Sequence, residues 1–353
     1  MARSPRTRPI VGLILTLICV VALVGAAVVK WAVAPRLVKI PDSGTSTTIS
    51  EGDGQALDTT TGKLMPIRAQ ATLTVVALPK ESTSNVTVVT AITCTHVLAP
   101  GAAAPDEQGC VPVTDPTFLA VTKEQIAMDR KSAESVTDDG RFGTNLNGDK
   151  AVAHAGLTYT FPIGTKKHDY TLFDGTAGKA FPIHYAGTEK LRGLTVYRFE
   201  QTAEAPIKIR GALPGTYTNT HTVWVEPVSG SIVRDRQIIA EKLQGGPLAL
   251  GGTLDFTPAT VTKAVHDARS MKDEIGLVRF WLPLGLLLLG VLLVPVIVLV
   301  ARGSVSARRR RAASEQPSDP EQPSDPGRPG DLEPSERPGP AEVAQPASRQ
   351  DLT

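Results

Sequence analysis

The chain lacks most of what soluble enzymes are recognised by. Its six histidines, at 96, 154, 168, 184, 221 and 266, are scattered, and none has the His-Glu-x-x-His spacing of a zinc hydrolase. The glycine-dense run Gly245–Gly252 (GGPLALGG) has neither the lysine of a P-loop nor the spacing of a dinucleotide fingerprint. No Gly-x-Ser-x-Gly elbow occurs. Asn145–Lys150 (NLNGDK) has its glycine misplaced for a calcium loop and no closing glutamate. No sign of charge dominates: 37 Lys and Arg face 35 Asp and Glu, and between Lys30 and Arg279 the two signs balance. A nucleic-acid reader would show a basic surplus. We therefore expect no enzyme activity, no cofactor, no metal and no nucleic-acid partner.

Long apolar runs, by contrast, are present twice. Ile10–Val29 (IVGLILTLICVVALVGAAVV) and Phe280–Ala301 (FWLPLGLLLLGVLLVPVIVLVA) carry no charge. As helices they reach ~30 Å or slightly more, the thickness of a bilayer core. Pro283 and Pro295 inside the second run are tolerated in lipid, where neighbouring helices satisfy the freed backbone groups. The first run has a basic flank and an Ala32-Val33-Ala34 site, but it exceeds the length of a signal-peptide core, and Pro35 follows the site. We read it as a retained anchor. Arg3, Arg6 and Arg8 precede the first span, and Arg302 and Arg308–Arg311 follow the second, so both termini are expected in the cytoplasm. The expected order is a cytoplasmic start (1–9), span one (10–29), an extracytoplasmic β-rich domain (30–256), a helical stalk (257–279), span two (280–301) and a cytoplasmic tail (302–353). The tail repeats EQPSDP in tandem and has no aromatic residue, a composition expected to stay disordered.

The few cysteines fit this placement. Cys19 lies in span one, whereas Cys94 and Cys110 share the exported segment, where a pair tends to oxidise. A disulfide is the expectation, and two unpaired buried thiols are the alternative.

Between the spans the pattern is β. Ala71–Leu78, Asn85–Val97, Phe118–Asp129, Leu157–Phe161, Leu191–Gln201, Thr220–Glu226 and Ser231–Ala240 are rich in β-branched and aromatic residues with turn residues between them. Trp224–Asp235 (WVEPVSGSIVRD) predicts a hairpin turning at Pro227–Gly230. Val261, Ala264, Val265, Ala268, Met271, Ile275 and Val278 follow helical spacing, with Thr257 as N-cap and Pro258 in the first turn. The fold class is mainly β: an elongated antiparallel barrel or sandwich between two terminal transmembrane helices.

Phe161–Ile183 (FPIGTKKHDYTLFDGTAGKAFPI) opens and closes on Phe-Pro-Ile. Proline forces the residue before it to be extended, so each copy reads as a strand start or an edge kink. Phe161, Tyr170, Phe173, Phe181 and Tyr185 then form either plain core or the lining of a cavity.

Met128–Asp139 (MDRKSAESVTDD), Tyr159–Gln201 and Val223–Asp235, together with the two spans and the stalk, resemble an actinobacterial two-span membrane-protein family, the porin PorA family. The matching positions are Asp129-Arg130, Phe161-Pro162, Tyr170, Asp174, Gly187, Glu189, Gly193-Leu194, Tyr197-Arg198-Phe199 and Gly230. The resemblance implies a cell-envelope protein of high-GC Gram-positive bacteria and assigns no catalytic residue. The two-anchor topology is also similar to that of class B scavenger receptors. Three functions follow as expectations. The first is binding or transfer of a lipid or lipoglycan by the exported domain, which calls for an apolar cavity there. The second is a scaffold that gathers envelope proteins as partners. The third is a pore or an envelope hydrolase, the latter needing carboxylates such as Asp169, Asp174 and Glu189 to converge.

Overall fold

The computed structural model describes residues 7–99, 101, 103–137, 144–145, 153–209 and 212–314. Two helices are long and apolar enough to cross a membrane. The first, α1 (Thr7–Val28), continues through a π-helical turn (Val29–Val33) into the short α2 (Ala34–Leu37). Eleven strands follow: β1 (Thr45–Leu57), β2 (Leu64–Ala77), β3 (Val86–Val97), β4 (Phe118–Asp129), β5 (Thr144–Asn145), β6 (Tyr170–Asp174), β7 (Lys179–Leu191), β8 (Leu194–Ile209), β9 (Leu213–Val225), β10 (Ile232–Leu243) and β11 (Leu248–Phe256). Then α3 (Pro258–Gly276) runs through a second π-helical turn (Leu277–Trp281) into α4 (Leu282–Ser314).

All strands join one antiparallel sheet in the order β5-β4-β3-β2-β1-β11-β10-β9-β8-β7-β6. Two meanders, β1–β5 and β6–β11, are therefore zipped together by the β1–β11 pairing, the one ladder between strands distant in sequence among the described residues. At the base the sheet curls back on itself. Met128 bridges Ser135, Ser135 N–H donates to Gly156 O at 2.8 Å, and Leu157 bridges Leu172. The barrel-like expectation is thus met by a curled sheet. Leu157–Phe161, expected as a strand, is instead a loop that makes this single bridge; its N–H groups go to Thr171 and Gly230 rather than to a ladder.

Strands β2, β3, β4, β8, β9 and β10 form where the β-branched runs predict them. The glycine- and acid-bearing β1 and β11 carry little such signal and form because they pair with neighbours on both sides. Four strands contain proline, at 66, 182, 206 and 214, and each proline pairs on one side only. β3 pairs β2 only from Ala69 onward, β7 pairs β8 only between Ile183 and Leu191, and β10 pairs β9 only up to Gly215. A proline lacks the N–H that a second neighbour would need, so these are the positions that tolerate it.

The core has three clusters, the smallest being Val89, Ile126 and Met128 of β3 and β4. Inside the curl, Ile40, Leu157, Phe161, Leu172, Ile183, Phe199 and Val223 are buried together. On the outer face of β8–β10, α3 buries Val261, Val265 and Ala268 against Leu194, Val196, Trp224 and Val233. Each fully buried Val contributes on the order of 1.5–3 kcal/mol, so the helix expected as a stalk is also a structural layer of the domain. Thr257 caps it by accepting the Thr260 N–H at 3.2 Å. Cys94 on β3 and Cys110 in the following loop form the expected disulfide.

The two apolar helices pack along a seam in which small residues of α1, and Gly290 of α4, meet larger aliphatic side chains. Gly12, Leu15, Cys19, Ala22 and Ala26 of α1 alternate by three and four, as do Pro283, Leu286, Gly290, Leu293, Ile297 and Val300 of α4. Cys19 Sγ donates to Gly290 O at 3.3 Å. Small residues let backbones approach where lipid offers no hydrophobic drive to associate. The two π-helical turns pack side by side and carry Lys30, Trp31, Arg279, Phe280 and Trp281, the aromatic and basic residues of a membrane interface. α4 stays helical to Ser314, beyond the span end expected at Ala301, because Ala and Arg are strong helix formers. The rest of the expected tail lies outside the described residues.

Gly52, Gly54, Gly251 and Gly252 line the β1–β11 seam. A Cβ on Gly252 would stand 2.7 Å from Gly54 Cα and 2.8 Å from Asp53 O, closer than real Cβ contacts. Gly252→Val is expected to cost about 1–3 kcal/mol or more from overpacking against backbone. Thermal unfolding of the purified chain measures this. Unchanged stability would show that the seam tolerates widening.

Candidate functional site

Alternation along β8 and β9 sends one set of side chains into the curl. Gln201, Tyr217, Asn219 and His221 point inward, while Glu200, Thr202, Thr218, Thr220 and Thr222 point out. The inward polar groups join side chains of β6 and β10 in one chain of contacts. Asp174 Oδ2 accepts from Tyr217 Oη at 3.0 Å and from Asn219 Nδ2 at 3.2 Å. Asn219 Nδ2 also donates to Gln237 Oε1 at 3.2 Å, and Gln237 Nε2 donates to Asp235 Oδ1 at 3.2 Å. Asp235 Oδ2 pairs with His221 Nε2 at 2.7 Å. Gln201 Nε2 donates to the carbonyls of Leu172 and Phe181. Gln201 Oε1 and Asn219 Oδ1 stay buried without a partner among the described residues. Further along β10, Glu241 faces the same way, and burial raises its pKa.

A second polar group sits between β4 and β6. Glu124 accepts from Tyr159 Oη and pairs with His154 Nε2 at 3.1 Å, and His154 stacks on Phe173 at 3.8 Å. Burial opposes the charge on Glu124, but the two hydrogen bonds outweigh it and hold its pKa below the usual value. Burial, reinforced by Glu124, raises the Tyr159 pKa well above its ordinary value. The Tyr217 pKa is raised in the same way by burial and by Asp174.

The five candidate cavity residues separate. Phe161 stacks on Phe199 at 4.8 Å, and Tyr170 and Tyr185 meet Phe199 edge-on at 5.7 and 5.8 Å. Phe173 lies on His154, and Phe181 is half-buried on β7. Tyr170 alone of the five lines an open groove, about 450 Å³ in volume, at the base of the sheet. Ser132, Glu134, Leu157, Pro162, His168, Asp169 and Thr171 line the groove with it. The 162–165 loop beside it comes close to the end of α3: a Cβ on Gly164 would lie 3.8 Å from Arg279 Nη1, in the π-helical turn that follows α3.

The three carboxylates considered for hydrolysis keep separate partners. Asp169 pairs with exposed His184 at 2.8 Å, Asp174 belongs to the interior chain, and Glu189 holds Trp224 Nε1 and Arg198 Nε. Among the described residues no group of three or more His, Cys, Asp or Glu could hold a metal. Of NLNGDK only Asn145 is described. The interior chain escaped sequence reading, although one signal for it exists. TYTNTHTVWV places Tyr217, Asn219 and His221 at every second position, a polar stripe on the face opposite the threonines.

His221 carries the pH prediction. Burial disfavours its charge, but the Asp235 carboxylate outweighs this and raises the pKa. A raised histidine pKa adds stability that is fully present below the unfolded value of about 6.5 and is lost as pH rises through the folded value. Stability is therefore expected to fall as pH rises above about 6.5. Asp235→Asn should remove that dependence and cost about 3–5 kcal/mol at pH 6, since it breaks a shielded pair. Urea unfolding between pH 5.5 and 8.5 reads both. A variant with the wild-type pH slope would show that the pair does not titrate as described.

Residues 11–299 match the family model described as Porin PorA. A curated protein named Porin PorA, from Corynebacterium resistens, is 36% identical over 101 residues. That match covers 26% of this chain and 24% of the relative's length. Gly230, whose φ is +78°, illustrates how the motif positions serve the fold: a Cβ there would run into the carbonyls of Phe161 and Pro162, the other motif pair. Arg130 likewise ties the base together, donating to Ile40 O and pairing with Asp42 at 2.7 Å. With two apolar helices flanking an antiparallel β domain, and a family match across both, the chain belongs to the porin PorA family.

Proposed function

We propose that the chain is a non-enzymatic, membrane-tethered protein of the cell envelope whose exported β domain binds a lipid or lipoglycan, with both termini cytoplasmic. The observation that carries this is the base groove. It opens beside the 162–165 loop, which at Gly164 runs close to the Arg279 side chain, in the π-helical turn just before α4. A ligand anchored in the leaflet would present its head group at that level. The lining suits such a ligand: Leu157, Pro162 and Tyr170 offer apolar surface, and Ser132, Thr171, His168 and Asp169 offer hydrogen bonds. The interior of the curl is a poorer candidate for a guest, since Phe161, Phe199, Leu172 and Ile183 fill its base. Surface binding of an anchored ligand thus replaces the enclosed apolar cavity of the sequence expectation, and handing the ligand to envelope partners is compatible with it.

A second reading, a channel, is favoured by the family name and by the inward polar chain from Asp174 to His221. The spans argue against a pore through one copy. Their exposed faces are apolar, among them Leu13, Leu17, Val21, Leu288, Leu292 and Leu299, with no polar stripe to line water.

Mass spectrometry of lipids that co-purify with the full chain in mild detergent tests the first reading. A specific lipid or lipoglycan is expected, and Thr171→Trp, which fills the groove from an exposed position, should reduce its yield about tenfold. Equal yield from both proteins would remove the groove from consideration. Stepwise conductance of the purified chain in a planar bilayer, with no co-purified lipid, would favour the channel.

A further inference from the structure

The outer face of β8–β10 carries a second concave surface that neither the base groove nor the interior chain uses. Beyond the strip covered by α3, the register sets three strands in rows: Arg198, Trp224 and Arg234; then Glu200, Thr222 and Arg236; then Thr202, Thr220 and Ile238. Seven of these residues line a groove of about 230 Å³. Thr216 and Thr218 prolong the β9 row, so four threonines in register run about 20 Å along the strand.

The charges in the groove are fixed unequally. Arg198 pairs with both Glu189 and Glu200, which neutralises Glu200 and orients the guanidinium. The Trp224 indole donates to Glu189 at 2.8 Å and lies under the Arg234 guanidinium at 4.6 Å, closing one end. Asp255 stands opposite Arg236 in the ladder, yet its carboxylate turns to Arg234 at 2.9 Å. Arg236 is left without an ion pair among the described residues, and the hydroxyls of Thr216, Thr218, Thr220 and Thr222 bond no described residue. Ile238, 48% exposed, adds an apolar contact beside them.

An unpaired guanidinium, a row of free hydroxyls and one exposed aliphatic side chain complement a polyhydroxylated chain that carries an anion. Arg binds carboxylate or phosphate through a planar fork, Thr hydroxyls both donate and accept, and Ile packs against C–H groups. A peptide would instead seek an unpaired strand edge, and here β9 is paired on both sides. We infer that the outer face of β8–β10 is a binding surface for an acidic saccharide chain, with Arg236 as its anion contact and the β9 threonines as its sugar contacts.

The test is binding of an oligogalacturonate to the full chain in nanodiscs, with dextran and polyglutamate as controls. Oligogalacturonate is expected to bind, dextran weakly and polyglutamate weakly. Arg236→Glu should weaken oligogalacturonate binding about tenfold, and Thr220→Val with Thr222→Val should weaken it about as much. These side chains are on the surface, and an unchanged melting temperature confirms that the variants fold. Thr171→Trp, in the base groove, should leave the binding intact, so the two sites fail independently. Polyglutamate binding as well as oligogalacturonate, or Arg236→Glu binding like the wild type, would overturn the inference.

Discussion

The fold depends on one pairing. β1 and β11 lie about two hundred residues apart, and the ladder between them is what makes one sheet of two meanders. Closing so long a loop costs conformational entropy, which the ladder and the packing it permits must offset. Glycine at 52, 54 and 252 removes the side chains that would hold the two backbones apart. The curl that follows brings β6 beneath β8 and β9, so Asp174 meets Tyr217 and Asn219 across the interior. The Asp174 contacts to Tyr217 and Asn219, three strands away in the sheet order, would not form in a flat sheet.

The membrane supplies the second constraint. Both spans are apolar over most of their surface, and their contact relies on small residues and a Cys19–Gly290 hydrogen bond. Above them the helices turn through matched π-helical segments flanked by tryptophan and basic residues. From there the two chain ends enter the domain differently. The first passes through Val38 and Ile40 into the inner core, where Arg130 holds it. The second remains helical and covers the outer face as α3. The domain is thus held from inside and outside the curl by the two chain ends.

How much of this was legible in the sequence varies with the range of the interaction. The two apolar helices, the α3 helix with its Thr257 cap, the 224–235 hairpin and the 94–110 disulfide were readable, because their signals are local or confined to a few residue types. β3 and β4 were readable from β-branched runs. β1 and β11 were not, since Ser, Gly and Asp have low strand propensity and the strands exist by virtue of their neighbours. Leu157–Phe161 has strand-like residues but no partner over its length, and so it stays a loop. The candidate site was less legible still. Phe161, Tyr170, Phe173, Phe181 and Tyr185 look equivalent in sequence, yet they occupy three different settings: three gather on Phe199, Phe173 stacks on His154, and Phe181 stays half-buried on β7.

By itself, then, the sequence determined that a β domain lies between two terminal apolar helices, because apolar length and residue alternation act over one or two turns or strands. Only the tertiary structure decided what the interior holds and where surfaces stay open. Those depend on register and curl: which residue stands opposite which, whether Asp255 turns to Arg234 or Arg236, and whether a proline meets one neighbour or two. Such choices are set by packing among segments remote in the chain, and no local pattern encodes them.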